Sequence, residues 1–258
     1  MRPDPFSWSF DPAVLLALVA LVAGYARAAQ RFPTSRARVG AFAAAVVLLL
    51  ATAVTPLHAL TFHLLSAHLL QNVVLAEWAP ALLVLAVPPA LATRIGRLPV
   101  VHALTRPLVA LPLWVATYLA WHVPAAYDTA LHHQTTLLHL EHATYLAAGC
   151  LLWWPALQDE PHRVPPQHRA LYLFAAFLLA SPVGLLLALL PDPVYDWYAG
   201  GFADWDVSAL TDQRAAGVTM AGEEAAVFFA AFSFWFLRFL AVEERAEAAV
   251  EPETRVRS

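Results

Sequence analysis

The sequence predicts an all-α fold: a polytopic membrane bundle of about seven transmembrane helices, with the amino terminus outside and the carboxyl terminus cytoplasmic. Three observations carry this. Of 258 residues, 60 % are hydrophobic and only 13 % are charged. A soluble domain has about 25 % charged residues, so much of this exterior must face lipid. The apolar residues also fall into runs near the length of one membrane crossing, about 20 residues. Finally, the arginines sit mostly on alternate loops.

Taken in order, the runs are 12–28, 39–57, 62–87, 107–123, 134–157, 170–190 and 212–240. Ahead of the first, the amino-terminal segment Met1 to Pro12 has Arg2 as its one basic residue. That is too little for the basic region of a signal peptide, so the run is expected to be a retained span. The third run stops at Pro88-Pro89, which cannot continue a helix. The fourth is short, and Pro107 at its start costs little because a first-turn N–H has no helical partner. Residues 1–240 are therefore read as one transmembrane domain. Residues 241–258 are charged and are expected to form a cytoplasmic tail without fixed structure.

Orientation follows from the arginines, which make up all of the basic residues. With about seven spans the loops alternate sides. One set carries Arg27, Arg31, Arg36 and Arg38, then Arg94, Arg97 and Arg106, then Arg163 and Arg169, and continues at the carboxyl end with Arg238, Arg245, Arg255 and Arg257. The other set has only Arg2 and Arg214. Positive residues stay inside, which places the first set in the cytoplasm. The loop after the sixth run is then outside and acidic, and its Trp197, Tyr198 and Trp205 read as an interfacial aromatic belt. A formal charge of −4 argues against a nucleic-acid partner. Cys150, the only cysteine, can form neither an internal disulfide nor a CxxC site and reads as a small apolar packing residue.

Polar groups are costly in hydrocarbon and face the bundle interior. At 1.5 Å per residue, His68, Gln71 and Asn72 lie roughly 9–15 Å below the outer entry of the third run, on one helix face. His139 and His142 lie roughly 8–12 Å below the outer entry of the fifth, one turn apart. In the seventh, Gln213, Gly217, Met220 and Glu224 form one stripe, while His122 closes the fourth run at the same level. Four helices thus present candidate ligands at one depth. Imidazole suits copper, zinc and iron, and a thioether favours Cu(I). The expected metal ligands are His68, His139, His142, Met220 and His122, and copper is the expected ion. The ordinary readings remain beside this one: interhelical hydrogen bonding for the three deep histidines and packing for Met220. His58, His63, His132 and His133 read as interfacial, and His102, His162 and His168 as surface residues. Glu77, Glu223 and Glu224 lie deeper, and each needs a proton or a partner there.

Several short motifs carry a resemblance. They are Ser66-Ala67-His68-Leu69-Leu70-Gln71, Trp121-His122-Val123-Pro124 with Tyr127-Asp128, and His139-Leu140-Glu141-His142 followed by Leu151-Leu152-Trp153-Trp154-Pro155. Asp212-Gln213 with Gly217 and Met220 completes them. In this order the chain, from about His58 to Leu240, resembles the polytopic CtaG family of cytochrome c oxidase assembly factors, which act on bacterial haem–copper oxidases of the c-aa type. The resemblance implies a non-enzymatic, multi-pass protein of the bacterial plasma membrane. Its implied partners are cytochrome c oxidase subunits and the lipid bilayer, and its implied task is to bind and deliver copper at the outer face. The family pattern commonly has a second histidine on the third span, where this chain has Asn72. After Met220 that pattern runs aromatic, apolar, Pro, Gly, whereas this chain reads Ala221-Gly222-Glu223-Glu224.

The main rival reading is a zinc-dependent intramembrane lipid hydrolase. Three histidines would hold the metal, Asp128 or Asp212 would act as base, and Ser66 would polarise the substrate. A transporter would show repeat symmetry, which this sequence lacks. Facing histidines could also serve as axial ligands of a haem.

Overall fold

A computed structural model of the chain describes residues 3–256, with side chains described through residue 247. The described residues form helices joined by short turns. Their one β-type feature is an isolated bridge between Phe202 and Val207.

Helix starts follow the prolines. Helix α1 (Pro12–Arg31) begins on Pro12, and Asp11 caps it by accepting the amides of Ala13 and Val14 at 2.8 and 3.2 Å. Helix α2 (Arg36–Val54) is capped by Ser35, and the single-turn α3 (Pro56–Leu60) by Thr55. The third run is one span from Leu65 to Ala86 with an internal widening. It consists of α4 (Leu65–Val73), a π-helical turn (Val74–Trp78) and α5 (Ala79–Ala86). The turn lies just before Pro80, which has no N–H to give the Ala76 carbonyl.

Residues 88–106, between the third and fourth runs, hold two short helices, α6 (Pro89–Gly96) and α7 (Pro99–Leu104). Helix α8 (Pro107–His122) turns by 71° into α9 (Pro124–His132), with Val123-Pro124 at the bend. Then come α10 (Leu137–Leu157), α11 (Pro166–Leu189) and α12 (Ala209–Val256). Helix α12 continues through residues 241–256, whose charged composition predicts a tail without fixed structure. The side chains from residue 248 on lie outside the described residues.

Five helical spans are long and apolar enough to cross a membrane, or six if the bent α8–α9 pair is one span. Helix α10 has the length, 21 residues, but falls outside that set. Its opening turns carry His139, Glu141 and His142; the cost of the last two in hydrocarbon is offset by packing inside the bundle, while His139 lies at the rim.

Two glycines set the closest helix approaches. A Cβ on Gly217 of α12 would fall 2.4 Å from the Ala188 amide nitrogen and 2.5 Å from the Gly184 carbonyl oxygen of α11. A Cβ on Gly149 of α10 would fall 2.2 Å from the Ala76 carbonyl oxygen in the π turn. Small residues let membrane helices pack backbone to backbone in this way. The core they enclose runs through Leu69, Val73, Trp114, Leu152, Leu173 and Phe228.

Candidate metal centre

The polar residues gather at the end of the bundle where α4, α10 and α12 begin and α8 ends. His68 of α4 is completely buried. Its Nδ1 lies 2.9 Å from the Tyr198 hydroxyl, and that hydroxyl donates to the Thr61 carbonyl. The phenol has spent its one hydrogen, so His68 Nδ1 must be the donor to it, which leaves Nε2 with an open lone pair. Nε2 has no hydrogen-bond partner; Glu141 Oε1 stands 3.7 Å away. The His142 ring meets His68 edge-on at 6.4 Å between centroids, and its Nε2 is likewise buried without a partner.

His122 follows the same rule. Its Nδ1 lies 2.8 Å from the Tyr118 carbonyl, an acceptor, so Nδ1 carries the hydrogen and the buried Nε2 is open. Tyr127 stands between the two regions, 4.8 Å from the His68 ring and 6.4 Å from the His122 ring. A cavity of about 10 Å³, the size of one water, is lined by His122, Met220, Asn72, Glu77, Tyr118 and Tyr145 among others.

Of the expected ligands, the fold brings His68 and His142 together and sets His122 and Met220 around the adjoining cavity. His139 stands apart at the rim. About a third of its side chain is exposed, and its Nε2 is 3.5 Å from the Asp11 carboxylate that caps α1. His58, read as interfacial, packs inward: its ring meets Phe62 at 5.3 Å and its Nδ1 is 3.3 Å from Gln71 Nε2. Burial pushes the His58 imidazole below its usual range, the neighbouring His139 charge adds to this, and Asp11 opposes both. Among the described residues no three His, Cys, Asp or Glu side chains lie close enough together to hold a metal ion. The donors fit copper in kind, since they are neutral imidazoles and one thioether, but they form an open set rather than a closed cage.

Other motif residues are scaffolding. Asp212 accepts from the amides of Leu65 and Ser66 at 2.5 and 3.2 Å and from the Ser66 hydroxyl at 2.6 Å. It therefore caps α4 from across the bundle, since Leu64 offers no cap of its own. Gln213, expected to continue the inward stripe, holds the loop that follows α11, accepting from the Val194 amide and donating to the Asp192 carbonyl. Asp128 accepts from the amides of Asp196 and Trp197, and Gln71 Nε2 donates to the Thr52 carbonyl. Asp128, Asp212 and Ser66 are thus committed to structure, which withdraws the base and the helper from the hydrolase reading. The aromatic belt also needs correction: Trp205 is exposed, but Tyr198 dips into the core to reach His68, and Trp197 Nε1 donates to the Phe62 carbonyl.

Three participants escaped the sequence reading. Glu141 is completely buried and accepts from Asn72 Nδ2 at 2.9 Å, and its place between two histidines in His-Leu-Glu-His was the available signal. Tyr198 and Asp11 gave none, because each reaches the site across a long stretch of chain.

Over residues 19–241 the chain matches the family described as cytochrome c oxidase caa3 assembly factor. No curated protein and no solved structure shows a significant match to it.

Proposed function

This chain belongs to the cytochrome c oxidase caa3 assembly factor family, and from that premise we propose that it receives copper at the outer face of the bacterial plasma membrane and passes it to an oxidase subunit. In this reading α10 is also a span, which gives about seven crossings, and the arginine-poor, histidine-rich end is extracellular. The protein acts without catalysing a reaction of its own.

The observation that supports this reading best is the state of three imidazoles. His68, His122 and His142 each enclose an Nε2 with no partner, and at His68 and His122 a hydrogen bond to Nδ1 fixes the tautomer. That arrangement is what metal-binding histidines receive from their surroundings. His68 and His142 would take the ion first, His122 and Met220 would offer further donors across the adjoining cavity as the site closes on it, and His139 with Asp11 would meet it at the rim. An open set suits cargo, because a recipient's own ligands can displace it.

The test is Cu(I) titration of the purified full chain against a chromophoric competitor, beside the double variant His68→Ala, His142→Ala. The wild type should take up the ion, and the variant should bind at least about tenfold more weakly. Equal and negligible uptake by both would remove copper from the proposal. Deletion of the gene should lower the amount of assembled caa3-type oxidase; unchanged oxidase would remove the assembly role itself.

A further inference from the structure

At the end of the bundle away from the histidines, α1, α2, α5 and α10 enclose an apolar crevice of about 440 Å³. Its walls include Leu21 and Gly24 from α1, Phe42 from α2, Val84 from α5, and Cys150 and Trp154 from α10. Helix α1 stands off from the others. It has no buried residue, and a Cβ on Gly24 would meet no atom within 4 Å. Tyr25 holds it at this distance by stacking on Phe42, 3.8 Å between ring centroids, while its hydroxyl donates to the Ala86 carbonyl at 3.4 Å. Gly24 is exposed, so the crevice opens outward, and around an apolar span the surroundings are acyl chains.

The mouth of the crevice carries a cation. Arg38 of α2 is half-buried, and its Nη1 donates to the carbonyls of Leu85 and of Val87, itself a wall residue. These carbonyls lie where α5 ends and helical partners run out. A guanidinium has five N–H donors, and the three on Nε and Nη2 meet no protein acceptor among the described residues. No carboxylate there pairs with Arg38 either. Segments 27–38 and 87–106, which flank this end, hold seven arginines and no Asp or Glu. The charge calls for an anion.

Volume decides between a partner helix and a lipid chain. A helix about 10 Å across rises 5.4 Å per turn, so the crevice would house roughly one turn of it. One acyl chain is thin enough to run along the whole crevice, and leaving the space unfilled would forfeit the dispersion contacts of its walls. We propose that the crevice binds one anionic phospholipid. An acyl chain fills it, and the lipid phosphate accepts from the Nε and Nη2 donors of Arg38. This site lies apart from the histidines and does not depend on the copper reading.

The probe is phosphatidylglycerol with a diazirine on one acyl chain, added to the full chain in phosphatidylcholine nanodiscs, with adducts mapped by peptide mass spectrometry. Adducts should concentrate on segments 20–28 and 150–154. The same probe with a choline headgroup should label them at least about fivefold less. Arg38→Gln should bring the two probes level. Gly24→Leu, whose side chain enters the crevice, should remove the adducts of both probes with circular dichroism unchanged. Adducts spread evenly over the lipid-facing helices overturn the proposal, as does equal labelling of the wild type by both probes. A bis-maleimide that joins two chains through Cys150 would give the crevice to a second copy and overturns it too.

Discussion

His68 shows how a side chain is readied for a ligand by a neighbour it does not share a helix with. The Tyr198 hydroxyl accepts from Nδ1 and so points the Nε2 lone pair into the site. Tyr198→Phe removes that acceptor while keeping the ring. Cu(I) affinity should fall by about 10–100-fold with helicity unchanged, measured by competitor titration and circular dichroism. His58 makes the pH prediction. Its folded pKa is held below the ordinary value of 6.5, so the unfolded chain takes up a proton that the folded chain refuses. Stability is therefore intact above the unfolded value and declines as pH falls below it. His58→Gln should flatten that decline in a thermal melt series. An unaltered slope would assign the acid sensitivity to other groups.

At the scale of elements, the bundle relies on long-range caps and close backbone contacts. Asp212 supplies the N-terminal cap of α4 from α12, which joins the seventh run to the third at the level of the histidines. Asp212→Ala should cost about 1–3 kcal/mol, read as a lower Tm in detergent. It should also weaken copper uptake by loosening the turn that carries His68. Gly217 lets α11 and α12 touch, whereas Gly24 on α1 faces open space. Gly217→Leu should greatly reduce the yield of folded protein, while Gly24→Leu should leave it unchanged. Comparable yields from the two would mean that the α11–α12 contact is not limiting.

For the molecule as a whole, the prediction is sidedness. With Cys150 replaced by Ala, Ser208→Cys should react with a membrane-impermeant maleimide in intact cells. Arg97→Cys should react only in inverted vesicles, as the arginine distribution requires. Reversed labelling would place the histidine-rich end in the cytoplasm and end the proposal of outer-face delivery.

The apolar runs and the prolines settled where most helices begin and end, because lipid demands length and an internally bonded backbone wherever the chain lies. They also marked His68, His122 and His142 as interior, since a polar group in a span has to face its neighbours. What was not legible depended on contacts between distant segments. Asp212 looked like a candidate base until it was seen to cap α4, and His139 was expected to join His142 until its ring was found beside Asp11. The Trp78–Glu223 hydrogen bond likewise joins residues far apart in the chain, through a π turn that Pro80 allows but does not dictate. Sequence alone fixes which groups must be buried, through the cost of exposing them to lipid. Only the packed helices decide which hydrogen bonds those groups keep, and hence which lone pairs and protons remain for chemistry.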